Sequence, residues 1–504
     1  MLAAAFGLYA QRSSRAEPVV TTTLYSGWNM FAYVGPTQPV ADALAQIEGK
    51  FNIVWSLDGS SQQWAGFDPS APPFLNDLQQ LEQFAAYMIF MNAQGELTFD
   101  VAKALPELVF HNGAILTMET DYPEVQAIAI RGEKIVAAGS DKEVLALRGP
   151  ETRVIDLEGR TLLPGFNDSH AHWIGDRDFA GHPTAEEAMQ AALENGWTSI
   201  SELFVNRDRL DELWALDSDG RLRLRVNAYL PLNWQHDRFG NWYKAYEAGQ
   251  EFSARLRVGG VKIFIDNADR GEKFLSEPYA DNPGYYGEAF WTQEELNEVV
   301  AEAHQAGFQI AAHTGGDAAH DLILNAYENA LQGESNEKYR HRIEHVMILR
   351  DDQLERMRRL GIIASFQVSF FHSDWAEEFG SNLGPERVGW VGRWRDLLEE
   401  GVPSIGSTDS PWGYGTVGPS MKAIYQAVTR IGEEGLPAAE WMLDQRISVE
   451  QALRLITADA AYGTFQEDVK GSVAVGKLAD LVILSENPLT VPVERLLEIQ
   501  VLMT

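Results

Sequence analysis

From about residue 161 to 464 the chain alternates short apolar runs with longer stretches whose apolar residues recur every third or fourth position. The short runs predict strands at 162–166, 198–203, 222–230, 260–266, 308–313, 342–345, 362–367 and 403–407. The longer ones predict helices such as 292–306, 351–360 and 449–458. Strands alternating with helices over this length predict an α/β fold, a (β/α)8 barrel of the TIM type, for residues 161–464. A doubly wound sheet is the alternative, but Gly315-Gly316 follows a histidine and is no dinucleotide fingerprint.

Before the barrel the pattern shortens to strand-length alternation at 108–110, 114–117, 127–131, 134–139 and 153–156, punctuated by Asn112-Gly113 and Gly132-Glu133. A similar texture returns at 471–475 and 480–484. Residues 106–160 and 465–504 are therefore expected to form one small composite β-sandwich interrupted by the barrel. Residues 23–105 are rich in Trp, Phe, Gly and Pro and predict a separate α+β module. Its strands fall at 23–25, 51–55 and 86–91 and its helix at 41–47, with Trp28, Trp55 and Trp64 in its core. Residues 1–22 hold an apolar start that lacks a basic leading segment and is too short to span a bilayer. They are expected to be frayed, or the remnant of a signal or anchor.

A chain of 504 residues exceeds one ordinary domain, in keeping with this division. Its formal net charge of −33 repels phosphate backbones and anionic lipid, which argues against nucleic-acid and membrane-surface partners. It holds no cysteine, which excludes disulfides, thiolate metal sites and cysteine nucleophiles. A metal would have to be held by His, Asp, Glu or a modified Lys. The lack of cysteine also favours an exported or cell-envelope setting over the cytoplasm.

His170 and His172 form a His-X-His pair next to Asp168 and the Pro164-Gly165 turn. With 11 histidines in the chain, chance alone supplies about 0.24 such pairs, so the pair means little by itself. Alternate residues of a strand share a face, however, and the pair sits at a strand's C-terminal end, where barrel active sites form. His313, His345 and Asp409 occupy the same kind of position on later strands. Lys262 lies inside an apolar strand, where a charged amine is costly unless neutralised or paired.

These segments resemble the amidohydrolase superfamily, in its YtcJ-like branch that includes N-substituted formamide deformylases. The resemblance rests on Leu162-Leu163-Pro164-Gly165-Phe166-Asn167-Asp168-Ser169-His170-Ala171-His172, Val261-Lys262-Ile263-Phe264 and His313-Thr314-Gly315-Gly316-Asp317. It continues through Arg342-Ile343-Glu344-His345, Ser407-Thr408-Asp409-Ser410-Pro411 and Gly476-Lys477-Leu478-Ala479-Asp480-Leu481-Val482. It implies that His170, His172 and Asp409 hold one divalent metal and that His313 and His345 hold a second. Lys262, carboxylated on its amine, would bridge them. The metal would be zinc, as one ion or two, and would activate water for cleavage of a C–N bond in a small amide, formamide or cyclic amide. Asp409 would relay the proton, and His345 is the alternative acid. Asn167 replaces a usual apolar residue, and the segment between His172 and Lys262 is short for the branch, so substrate preference does not carry over. The resemblance also implies a further closing strand beyond Met503-Thr504.

His372, Trp173 and Trp412 are candidate substrate contacts, each weighed against an ordinary loop or packing role. His304 is expected on a solvent face, His341 in a structural role, and Asp317 as a cap of the following helix. His320, Asp266 and Glu202 receive no role. Two other functions stay open at this point: lactone, ester or phosphoester hydrolysis at the same centre, and a catalytically inert cell-envelope binding protein. The expected partners are a small-molecule substrate and further copies of the chain in a homo-oligomer.

Overall fold

The computed structural model describes residues 19–35, 37–57, 63–82, 85–100, 105–267, 270–413 and 415–504. The expectation for the first eighteen residues lies outside them. Among the described residues, no helix is long and apolar enough to cross a membrane.

Two compact units separate. The described residues up to Val109, with Lys142–Ile155, make the first; Phe110–Asp141 with Asp156–Thr504 make the second. In the first, an antiparallel sheet runs in the order Gly27–Ala32, Ala86–Met91, Phe51–Leu57, Trp64–Phe67. Phe31, Val54, Tyr87 and Ile89 point to one side and form its core with Leu44, Ile47 and Leu97. The tryptophans do not fill that core. Trp28 is 56% and Trp64 50% exposed, and Trp55 is half-buried. Adjacent residues of a strand face opposite ways, and both faces of this sheet are apolar, so apolarity alone could not say which face is inward.

In the second unit, eight parallel strands pair in chain order: β1 (Phe166–Ala171), β2 (Trp197–Leu203), β3 (Arg225–Pro231), β4 (Leu256–Phe264), β5 (Ile310–His313), β6 (Arg342–Glu344), β7 (Ile363–Gln367) and β8 (Ser404–Ser407). This is the TIM-like barrel. Its strands are buried apart from the partly exposed Thr198, Arg257 and Gly259, because helices such as Gln293–Gln305, Asp317–Leu331 and Asp351–Leu360 cover the outside. The ring comes together where the Asp409 amide donates to the His170 carbonyl and the His172 amide to the Ser410 carbonyl, each at 2.8 Å.

The first barrel strand differs from expectation. The apolar run at 162–166 is split by Gly165: Thr161–Pro164 belongs to another sheet and β1 starts at Phe166. A Cβ at Gly165 would meet the Thr198 side chain at 2.3 Å, so only glycine lets the chain cross from one sheet to the other there. That other sheet is five-stranded and takes Glu124–Val125, Ala114–Leu116 and Thr161–Pro164 from before the barrel, and Leu481–Leu484 and Val501–Met503 from after it.

Candidate metal centre

Each proposed ligand sits in or just after a barrel strand. His170 is in β1 and His172 follows it; Lys262 is in β4; His313 ends β5; His345 follows β6; Asp409 follows β8. All six are nine-tenths or more buried. His170, His172 and Asp409 offer ligand atoms within 4.8 Å of one another. Asp409 Oδ1 lies 3.3 Å from His170 Nε2 and 3.2 Å from His172 Nε2. The rings of His345 lie 4.9 Å from His170 and 4.4 Å from His313, which continues the cluster across the mouth.

Partners behind the candidate ligands fix their tautomers. His170 Nδ1–H donates to Glu344 Oε2 at 2.7 Å, and Glu344 accepts in turn from Arg342 at 2.5 Å and from Ser365 at 2.7 Å. His345 Nδ1 meets Gln367 Oε1 at 2.7 Å, and His313 Nε2 meets the Asn267 carbonyl at 3.3 Å. Each ring therefore turns its other nitrogen, a lone pair, away from its partner. Burial, with added repulsion from Lys262 or neighbouring histidines, holds His170, His313 and His345 well below the ordinary histidine range, so they are neutral. For His172, burial lowers the pKa, but Asp409 and Asp176 outweigh it and the net shift is upward.

A neutral His170 thus points an Nε2 lone pair at a carboxylate oxygen 3.3 Å away, with no proton between them. Two lone pairs facing each other repel, and a divalent cation between them removes the conflict. The donor set fits such an ion: imidazole nitrogens and carboxylate oxygens in a buried site without thiolates.

Lys262 is fully buried and its Nζ has no hydrogen-bond partner; its nearest ring is Phe264, 4.7 Å from the centroid. Burial lowers its pKa to about 8, against the pull of Glu344 and Asp409, so a neutral amine is accessible near neutrality.

The backbone is strained at the same places. His345, Val346 and Asp409 have φ of 74°, 46° and 54°, a left-handed region that a β-branched residue such as Val346 rarely adopts. Asp168 ties two ligand strands together by accepting from the Thr408 amide at 3.0 Å and the His170 amide at 3.2 Å. Burial raises its carboxyl to about 7.

Several polar residues matter more than their sequence context suggested. Glu344 was legible only as motif text, yet it orients His170. Asp266 accepts the Gly315 and Gly316 amides, each at 2.8 Å, and so pins the turn after His313. Glycine is needed there, since a Cβ at Gly316 would fall 1.8 Å from the Phe274 carbonyl oxygen. Glu202 accepts the Gly175 amide at 3.0 Å, and burial raises it to about 7.

The candidate substrate contacts separate. Trp173 is fully buried against Trp197 at 5.6 Å and is part of the core. Trp412 is 56% exposed, stacks on Phe179 at 4.7 Å and donates to Asp176 Oδ2 at 3.1 Å. Asp176 is itself 3.9 Å from His172 Nδ1, so Trp412 stands at the rim, one carboxylate from a ligand. His372 follows β7, buried against Trp375 at 5.3 Å.

Two other expectations are corrected, for His304 and Asp317, and His320, given no functional role, has a structural one. His304 is half-buried and meets His341 Nε2 at 2.9 Å. Asp317 does not cap its helix: the helix starts at Asp317 itself, whose carboxylate takes Ser276 and Arg350 instead. His320 bonds Thr314 at 3.0 Å and the Gly316 carbonyl at 2.8 Å, bracing the turn after His313.

With the geometry in place, comparison with known proteins decides the family. A family model described as "Amidohydrolase family" matches residues 182–504, more than half of the chain. The chain belongs to the amidohydrolase family.

The match begins after His172, but similarity extends further. "Putative amidohydrolase YtcJ" of Bacillus subtilis is 29% identical over 76% of this chain and 95% of its own length. "N-substituted formamide deformylase" of Arthrobacter pascens is 23% identical over 79% of this chain and 97% of its own. Among solved structures, an uncharacterized metal-dependent hydrolase from Pyrococcus furiosus shares 25% identity, covering 76% of this chain and all of that one, with a TM-score of 0.64. This chain is accordingly a metal-dependent hydrolase of the amidohydrolase family, with a buried His-His-Asp cluster at the barrel mouth.

Proposed function

We propose that this amidohydrolase cleaves a C–N bond of a small amide, formamide or cyclic amide. The observation that carries the reading is the convergence of His170 Nε2, His172 Nε2 and Asp409 Oδ1 on one buried point. The similarity to a protein named for formamide cleavage supports amide chemistry over other hydrolyses.

His170, His172 and Asp409 would hold one divalent cation, zinc by donor type. His313 and His345 would hold a second, with Lys262 between them as a carbamate. The neutral Lys262 amine can attack carbon dioxide, forming an N–C bond and losing one proton. The resulting anion would replace an unpartnered buried amine by a ligand. Bound metal supplies Lewis acidity, which makes water more acidic and a substrate carbonyl more electrophilic.

The protein's own groups do the rest. Asp409 takes a proton from the attacking water and delivers it to the departing nitrogen. His345, held by Gln367 at 3.8 Å from Asp409 Oδ2, is neutral and offers a lone pair, which suits it to the ligand role and leaves the proton relay to Asp409. Glu344 and Gln367 keep the rings oriented, while Trp412 and Phe179 form part of the rim.

A panel of N-formyl amines, cyclic amides, lactones and phosphoesters tests the reading. The proposal expects turnover of at least one amide class above the others, lost on chelation and restored by zinc. Turnover of lactones or phosphoesters alone would overturn it.

A further inference from the structure

The opposite end of the barrel carries a second cluster that hydrolysis does not use. A cavity of about 180 Å³ opens beside the N-terminal ends of β3 and β4. Four cations line it, Lys134, Arg225, Arg255 and Arg257, against one lining carboxylate, the exposed Glu251. In a chain of net charge −33 such a local excess of positive charge is unusual.

These cations are not equally committed. Arg225 is fully engaged, with two bonds to Asp480 at 2.6 and 3.0 Å and one to the Ala254 carbonyl at 2.8 Å. Arg255 bonds the Arg223 carbonyl at 2.9 Å and lies 3.6 Å from Glu133. Among the described residues Arg257 makes no ion pair, and its buried Nε has no hydrogen-bond partner there. Directly across from it in the β3–β4 register is Asn227, 1% exposed, whose Nδ2 also lacks a partner. Gln466, on the cavity wall, leaves its Oε1 without a donor. All three residues line the cavity, although the unpartnered atoms themselves carry almost no exposed surface, so a ligand would reach them only by a small shift of their side chains.

Behind the wall, Lys470 is buried with its Nζ on Ser199. Burial, together with the fields of Arg225 and Arg257, lowers it to about 7 despite Asp480.

We propose that this cavity is a binding site for a small oxyanion, a carboxylate or a phosphate, held by Arg257 and Asn227. Gln466 Oε1 would accept from a hydroxyl of the same ligand. The site lies roughly 16 Å along β4 from Lys262, taking about 3.3 Å per residue, so it is separate from the metal centre.

The test is calorimetric titration of the full-length, metal-replete protein with inorganic phosphate, acetate and glycolate in chloride buffer. A metal-centre control, the double variant His170→Asn/His172→Asn, is run in parallel. The proposal expects single-site binding of phosphate or of the carboxylates, with the binding class naming the natural ligand's head group. Glycolate should bind more tightly than acetate through Gln466. Binding should persist in the metal-centre control and weaken at least ~30-fold in Arg257→Met. Arg257→Lys, which keeps the charge but loses the planar fork, should recover part of it and guards against a folding defect in Arg257→Met. The idea fails if none of the three ions binds at millimolar concentration. It also fails if binding survives in both Arg257 variants but disappears in the metal-centre control.

Discussion

The two ends of the same barrel strands treat charge in opposite ways. At the mouth, β4 carries Lys262 among neutral imidazoles, with Asp409 and Glu344 close by, and its amine is pushed toward neutrality. At the floor, the same strand begins beside Arg255 and Arg257, and β3 begins with Arg225 clamped to Asp480. The mouth gathers lone pairs and so suits a cation; the floor gathers N–H donors and so suits an anion. A TIM barrel isolates the two because its interior is packed with side chains, here including Tyr229, Leu203 and Ala311. One strand can thus serve two chemistries without either compromising the other.

The largest expected effect falls at the mouth. Asp409→Asn keeps the shape but removes the carboxylate between His170 and His172, and should lower kcat/KM by between about 100- and 10⁴-fold. Steady-state kinetics on the best amide of the panel checks this. A loss of less than tenfold would remove Asp409 from the proton relay.

The floor should answer to pH instead. His341, which precedes β6, accepts the Ile310 amide at 3.1 Å on Nδ1 and is buried, and burial lowers its pKa to about 3. Between pH 6.5 and about 3 the unfolded chain holds a proton there that the folded chain does not. Its contribution is therefore complete above pH 6.5 and is lost as pH falls toward 3, by on the order of 4 kcal/mol. Denaturant unfolding across this window should show a steep acid limb that is shallower in His341→Gln. Equal slopes in both proteins would contradict the assignment.

A middling effect belongs to the residues behind the ligands. Glu344→Gln keeps a hydrogen bond to His170 but removes the charge, and should weaken metal affinity by ~10–100-fold while the protein still folds. Competition with a coloured chelator reads this directly. Unchanged affinity would mean that His170 needs no orienting partner.

The smallest change is at the rim, where Trp412→Ala removes an exposed ring stacked on Phe179. KM should rise by a few-fold, on the order of the 1 kcal/mol of one aromatic contact, with kcat unchanged. A fall in kcat with KM constant would move Trp412 from substrate binding to ligand positioning through Asp176.

Much of the mouth is legible in the sequence alone. His170, His172, His313, His345 and Asp409 announce themselves because polar, metal-type residues stand where apolar strands end. Lys262 does so because it interrupts an apolar run. Their partners were not readable in the same way. Glu344 reaches His170 from 174 positions away, and no local pattern encodes that meeting. Asp266 and Arg257 look like ordinary polar residues of strands until their partners, or the lack of them, are seen in space. The break at Gly165 was hidden because one apolar string serves two sheets. Trp28 and Trp64 were misplaced because a small sheet with two apolar faces gives no sign of which side is covered.

The most direct test of the metal centre is zinc titration of chelator-stripped protein in bicarbonate buffer, followed by calorimetry. Tight uptake by the wild-type chain, abolished in His170→Asn/His172→Asn and reduced in stoichiometry by Lys262→Met, is the predicted result. Absence of tight uptake by the wild type, or equal uptake by the double variant, would contradict the account.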